Sequence, residues 1–133
     1  MFSPHALART TFRDPCSQDE LIDIYDDHGI FLFPSLFEGF GKVFLEAMSR
    51  GLCVVASNTG GMRDVIRTRH NGILVEVGNY KQVFEAVDFL LGHPDTANGM
   101  SMEARNTSIQ YTWDRVGRET AALYTVIRSK TVR

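Results

Sequence analysis

Two glutamates eight positions apart, Glu38 and Glu46, frame the one stretch of this chain whose residue types suggest chemistry. Between them lie Gly39, Phe40, Gly41 and Lys42, followed by the apolar residues Val43, Phe44 and Leu45. A glycine loop running into a helix leaves backbone N–H groups unpaired at the positive end of the helix dipole, which is a seat for phosphate. An acid beside such a seat must serve something other than phosphate. Glu46, set between Leu45 and Ala47, is costly to desolvate unless donors reach it, and sugar or ribose hydroxyls are suitable donors. A plainer reading pairs Glu46 with Lys42 at i,i+4 on a solvated helix face. Lys42 is then either a cation beside the phosphates or half of that pair. Farther on, Gly60 and Gly61 read either as an ordinary turn or as a point of close backbone approach to a ligand.

These residues need a scaffold. Positions 30–33 are a short apolar run with the length and aromatic content of a buried parallel strand, stopped by Pro34 and Ser35. Helical spacing begins near Lys42 and ends at Gly51. Positions 52–57 form a second buried strand and 73–75 a third, introduced by the turn at Asn71 and Gly72. Residues 62–66 read as a short helix, with Asp64 as a capping residue. Ser17 and Glu20 match a capping box for a helix carrying Leu21, Ile24 and Tyr25 inward and ending near His28. Asn79 caps the clearest helix, 80–91, and two more follow over 96–109 and 114–127. Trp113, just before the last helix, reads as core packing. Residues 10–12 are expected as a fourth short strand, and 1–9 as a loosely ordered start. Strand and helix alternate, so the expected class is α/β with a short parallel sheet flanked by helices and a helical C-terminus.

In order, Pro34, Ser35, Glu38, Gly39, Phe40, Gly41, Glu46, Ala47, Met48 and Gly51 resemble the E-x7-E signature of retaining group 1 glycosyltransferases with the two-Rossmann-domain (GT-B) architecture. Val54–Ser57, Thr59, Gly60, Gly61, Asp64, Asn71 and Gly72 continue the pattern, so the resemblance runs from about Leu21 to Trp113. It implies a partial Rossmann-like domain, the later part of the family's C-terminal donor-binding half. The expected substrate is a nucleotide-diphosphate sugar such as a UDP- or GDP-sugar, with no metal or other cofactor. By resemblance Glu46 meets the ribose hydroxyls, and Glu38 meets the sugar and steadies charge at the anomeric carbon. Backbone amides of Phe40 to Lys42 hold the leaving diphosphate, and the loop at Gly60 and Gly61 lies near the donor. Glycosidases also use two carboxylates, but nothing there calls for a glycine cradle between them.

The chain has 133 residues, 44% of them hydrophobic, enough for one domain. A doubly wound nucleotide domain has about six strands, and three or four are legible here. The expectation is therefore a single, incomplete nucleotide-sugar-binding domain over 1–133: a fragment, a split subunit or a decayed gene. Transfer would need an acceptor-domain chain, and the sheet edge invites self-association. The alternatives are a non-catalytic nucleotide-sugar-binding module and, less supported by the motif, a sugar-nucleotide epimerase. A net charge of −2 argues against nucleic acid as a partner. His5, His28, His70 and His93 lack ligand spacing. Cys16 and Cys53 are expected as free thiols. No signal or transmembrane segment is legible, which leads to a cytoplasmic expectation, with peripheral attachment to the inner membrane face as a variant.

Overall fold

The apolar run at Ile30–Phe33 is too short for a helix that buries itself and rich enough in aromatics to pack as a strand, and it forms β1. In the computed structural model, which describes residues 3–131, β1 pairs in parallel with β2, Cys53–Ser57. β2 pairs in parallel with β3, Ile73–Val75, so the sheet order is β1-β2-β3. Phe31 lies opposite Val54, and Ala56 opposite Leu74. Every residue of β2 is buried, as a central parallel strand covered on both faces requires.

Two layers of helix sandwich the sheet. On one face lie α2 (Gln18–Asp26), α3 (Lys42–Ser49) and the short α4 (Met62–Val65). Their Tyr25, Phe44, Met48, Met62 and Val65 meet Val54 and Ala56. On the other face α5 (Tyr80–Gly92) and α6 (Pro94–Ser108) set Ala86, Leu90 and Met100 against Cys53, Val55, Ile73 and Val75. Alternate residues of β2 thus serve opposite cores, as the pleat dictates. The sequence-expected α/β class with a short parallel sheet stands.

Local signals place several elements. Ser17 and Glu20 form the complete capping box of α2, and Asn79 accepts from the Gln82 N–H at the start of α5. Asn71, fully enclosed, ties the turn before β3 to α6. Its side chain accepts from the Arg67 N–H and donates to Val65 O and Thr107 Oγ1. Both cysteines are free thiols, Cys16 exposed and Cys53 buried. Burial pushes the Cys53 thiol up.

Three expectations need correction or qualification. Residues 10–12 form no strand. Thr10 is tied backward instead, its N–H donating to Leu7 O and its hydroxyl to Ala6 O at the end of α1, Pro4–Leu7. That single turn, with Ser3 as its cap, replaces part of the loosely ordered start expected for 1–9; residues 1 and 2 lie outside the described residues. Trp113 is not in the core: it opens α7, Trp113–Thr131, and is 77% exposed.

Asp26 and Arg50 join α2 to the end of α3 in a two-point ion pair. The hydrogen bond from Arg50 holds the Asp26 carboxyl below its ordinary value of 3.8. A depressed carboxylate contributes stability above that value, and the contribution is lost as pH falls through the folded value. Both partners are partly exposed, so the effect is small and screened by salt. Acid titration of the chain should therefore show an unfolding component below pH 3.8 that Asp26→Asn removes and salt weakens. Identical acid profiles for the two proteins would contradict this.

Candidate functional site

The loop after β1 carries the site. Gly41 takes a left-handed conformation, φ +77°, and is the N-cap of α3 with no side chain bonding to the helix start. That conformation is open to glycine at little cost. A Cβ here would meet Glu38 Cγ at 2.9 Å and the Phe33 ring at 3.1 Å. Glu38 therefore lies directly beneath Gly41, half-buried. The arrangement leaves the first amides of α3 facing outward at the carboxyl end of β1.

The loop is held from below by a second one. Gly61 donates its N–H to Gly39 O at 3.0 Å. A Cβ on Gly60 would stand 2.5 Å from Glu38 O, and one on Gly61 2.6 Å from Phe40 O and against the Phe40 ring. The lack of side chains at Gly60 and Gly61 thus lets two backbones approach each other. Asp64 caps nothing at α4, contrary to expectation; exposed, it sits 3.9 Å from Arg63.

Glu46 lies one turn into α3, half-buried, and lines a cavity of about 400 Å³ together with Phe40, Lys42, Tyr111, Trp113 and Val116. Among the described residues no ion pair joins Lys42 to Glu46. The Lys42 ammonium sits instead over the Trp113 ring, 5.7 Å from its centroid, a cation–π contact. The solvated i,i+4 pair is therefore absent, and the Glu46 carboxylate is left to face the cavity. Its charge is also felt by Tyr25, whose phenol is pushed up first by burial and then by Glu46.

The structure thus unites Glu38, Gly39, Phe40, Gly41, Gly60 and Gly61 in one pair of interlocked loops. Lys42 and Glu46 stand on the cavity side of α3, whose lining does not include Glu38. Sequence reasoning missed Tyr111 and Trp113 as walls of this cavity. The one available signal was their aromatic spacing around the start of α7. Among the described residues no cluster of three or more His, Cys, Asp or Glu side chains could hold a metal ion, and no helix is long and apolar enough to cross a membrane.

Residues 5–107 match the family Glycosyl transferases group 1. A D-inositol 3-phosphate glycosyltransferase of Streptomyces bingchenggensis is 34% identical over 113 residues, 85% of this chain and 25% of that protein. The chain thus spans about a quarter of that relative's length. Among solved structures, sucrose-phosphate synthase of Thermosynechococcus elongatus superposes with a TM-score of 0.82 at 25% identity, covering 92% of this chain and 31% of that one. HepE of Anabaena, solved in complex with UDP, superposes with a TM-score of 0.72 at 20% identity over 77% of this chain and 29% of its own. The same protein has also been solved with UDP-glucose.

Proposed function

The chain belongs to the Glycosyl transferases group 1 family, and from that premise we propose that it binds the donor for transfer of a sugar, with retention, from a nucleotide-diphosphate sugar. The observation that carries the reading is the side-chain-free start of α3 at Gly41, with Glu38 beneath it and Glu46 on the cavity one turn on. Outward amides and a helix dipole suit a diphosphate. Lys42, held over Trp113 and unpaired with Glu46, adds positive charge nearby. Helix end and lysine together supply the neutralisation that a metal would otherwise bring. Glu46 accepts hydrogen bonds from the ribose diol. Glu38, with Gly39 to Lys42 holding the leaving diphosphate, contacts the sugar and offsets the charge that develops at the anomeric carbon. Gly60 and Gly61 act by fixing that loop. UDP is the first nucleotide to try, since HepE, a neighbour in fold, was solved with it.

Turnover is a separate matter. An acceptor-domain chain is the proposed partner for transfer, sharing the acceptor with this one, and a cytoplasmic location at the inner membrane face suits nucleotide-sugar chemistry. A non-catalytic nucleotide-sugar-binding module is the second reading. The separating experiment uses a labelled sugar nucleotide, with the chain alone and with the products of the flanking genes. Transfer in the mixture alone supports a split enzyme. Nucleotide binding without transfer in either supports the module, and absence of nucleotide binding in both rejects the donor reading.

Self-association is part of the same proposal. Among the described residues β1 has one strand neighbour, and Leu32 on it is 48% exposed, so an apolar edge is open to pairing. Sedimentation of the chain should show association that rises with concentration; a monomer at every concentration tested would contradict it.

A further inference from the structure

The carboxyl edge of the sheet carries a second hollow, on the α5 side. It encloses about 270 Å³ between Pro34, Ser57, Glu76, Gly78, Tyr80 and Val83. Ser57 ends β2, and the residues two and four before it, Val55 and Cys53, pack under α5 and α6. By strand alternation Ser57 turns to the same side. It is fully buried, and its Oγ finds no hydrogen-bond partner among the described residues. A buried hydroxyl without a partner is destabilising, so its retention asks for one that the protein does not supply.

The start of α5 forms the rim. The Tyr80 N–H bonds to Gly78 O and the Gln82 N–H to Asn79, which leaves the Lys81 N–H as a donor at the helix start. A helix start by itself would suit an anion. Here Glu76 brings negative charge to the same wall and makes no ion pair among the described residues, so an anion would be repelled. What remains is a buried hydroxyl, a carboxylate and a helix-start amide beside two flat apolar surfaces, the Pro34 ring and the 75% exposed Tyr80. That pattern fits a neutral ring with hydroxyls on its rim and C–H groups on its faces. We propose that this hollow binds a sugar or cyclitol ring. Ser57 and Glu76 bond its hydroxyls, and Tyr80 covers one face. In a transfer reaction this ring is the acceptor or part of it, and only that last identification rests on the proposed function.

The test records amide spectra of the full chain, without nucleotide, against methyl α-glucopyranoside, myo-inositol and inorganic phosphate in turn. The expected result is a saturable shift of Ser57, Gly78 and Lys81 amides with one or both ring probes and none with phosphate. Ser57→Ala should weaken ring binding about fivefold and Glu76→Gln about tenfold, the values for a neutral and a charged hydrogen bond. Ser57→Ala should keep or raise the melting temperature, since it deletes an unpaired buried hydroxyl, so lost binding will not reflect unfolding. Phosphate shifting the same amides overturns the proposal. So does the absence of any saturable ring shift, which would leave Ser57 bonded to water only. UDP is titrated separately at Gly41 and Lys42: ring binding without UDP binding rejects the donor reading and leaves this one standing, and the reverse rejects this one alone.

Discussion

Glu46→Gln should weaken binding of UDP by about ten- to a hundredfold. The carboxylate faces the cavity with no lysine partner, so the substitution removes a charged acceptor from the ligand and little else from the protein. Charge-assisted hydrogen bonds contribute about 1.5–3 kcal/mol, which sets the range. Thermal stability should change by tenths of a kcal/mol, since the carboxylate makes no ion pair among the described residues. Lys42→Ala is the companion variant. If Lys42 served Glu46 in an ordinary helix pair, both variants would cost the same small amount of stability and nothing more. With the ammonium held over Trp113, Lys42→Ala should instead lower UDP affinity while costing no more than about 1 kcal/mol of stability. Calorimetric titration and melting of the two proteins provide the four numbers. Unchanged UDP affinity in Glu46→Gln would remove the ribose role.

Gly61→Ala should damage the loops through crowding alone. Gly61 has an ordinary φ of −67°, so no backbone strain enters; the added carbon simply falls on Phe40 O and its ring. Phe40 must move or the loop holding Gly39 must lift, and overpacking of that kind costs about 1–3 kcal/mol. The hydrogen bond from Gly61 to Gly39 is at risk in the same movement. Gly39→Ala is the control, since nothing lies within 4 Å of the carbon it would add. Melting should fall by several degrees for Gly61→Ala and hardly at all for Gly39→Ala. UDP affinity should fall with it in Gly61→Ala, because the start of α3 rests on the displaced loop. Equal melting of the two variants would show that the loops are not interlocked as described.

Where a signal was local, the sequence carried it to within a residue or two. β1 and β3 appear at the predicted positions because each is a short apolar run with turn residues on its flank. The Ser17 and Glu20 box and the Asn79 cap act over three residues and need nothing from the rest of the fold. The strand expected at 10–12 failed for a physical reason: a strand is made by its neighbour, and Thr10 has spent its groups on α1. Trp113 failed likewise. Its aromatic character is written in the sequence, but its 77% exposure and its place over Lys42 depend on how α7 meets α3. Gly60 and Gly61 were legible as a close approach, but not as an approach to the backbone of Glu38 to Phe40. The fold class and the strand, loop and helix that carry Glu38 and Glu46 were thus readable. The partners of that stretch, brought from distant loops, were not.

The most direct measurement of the division of labour is a two-ligand titration. Wild type, Glu38→Gln and Glu46→Gln are each titrated with UDP and with UDP-glucose. Glu46 is assigned to the ribose, which both ligands carry, so Glu46→Gln should weaken both alike. Glu38 lies under Gly41 and outside the cavity that Glu46 lines, and it is assigned to the sugar. Glu38→Gln should therefore leave UDP affinity unchanged and lower that of UDP-glucose by about tenfold. If the two variants respond identically to both ligands, the two glutamates do not divide ribose from sugar, and the account of the site is wrong.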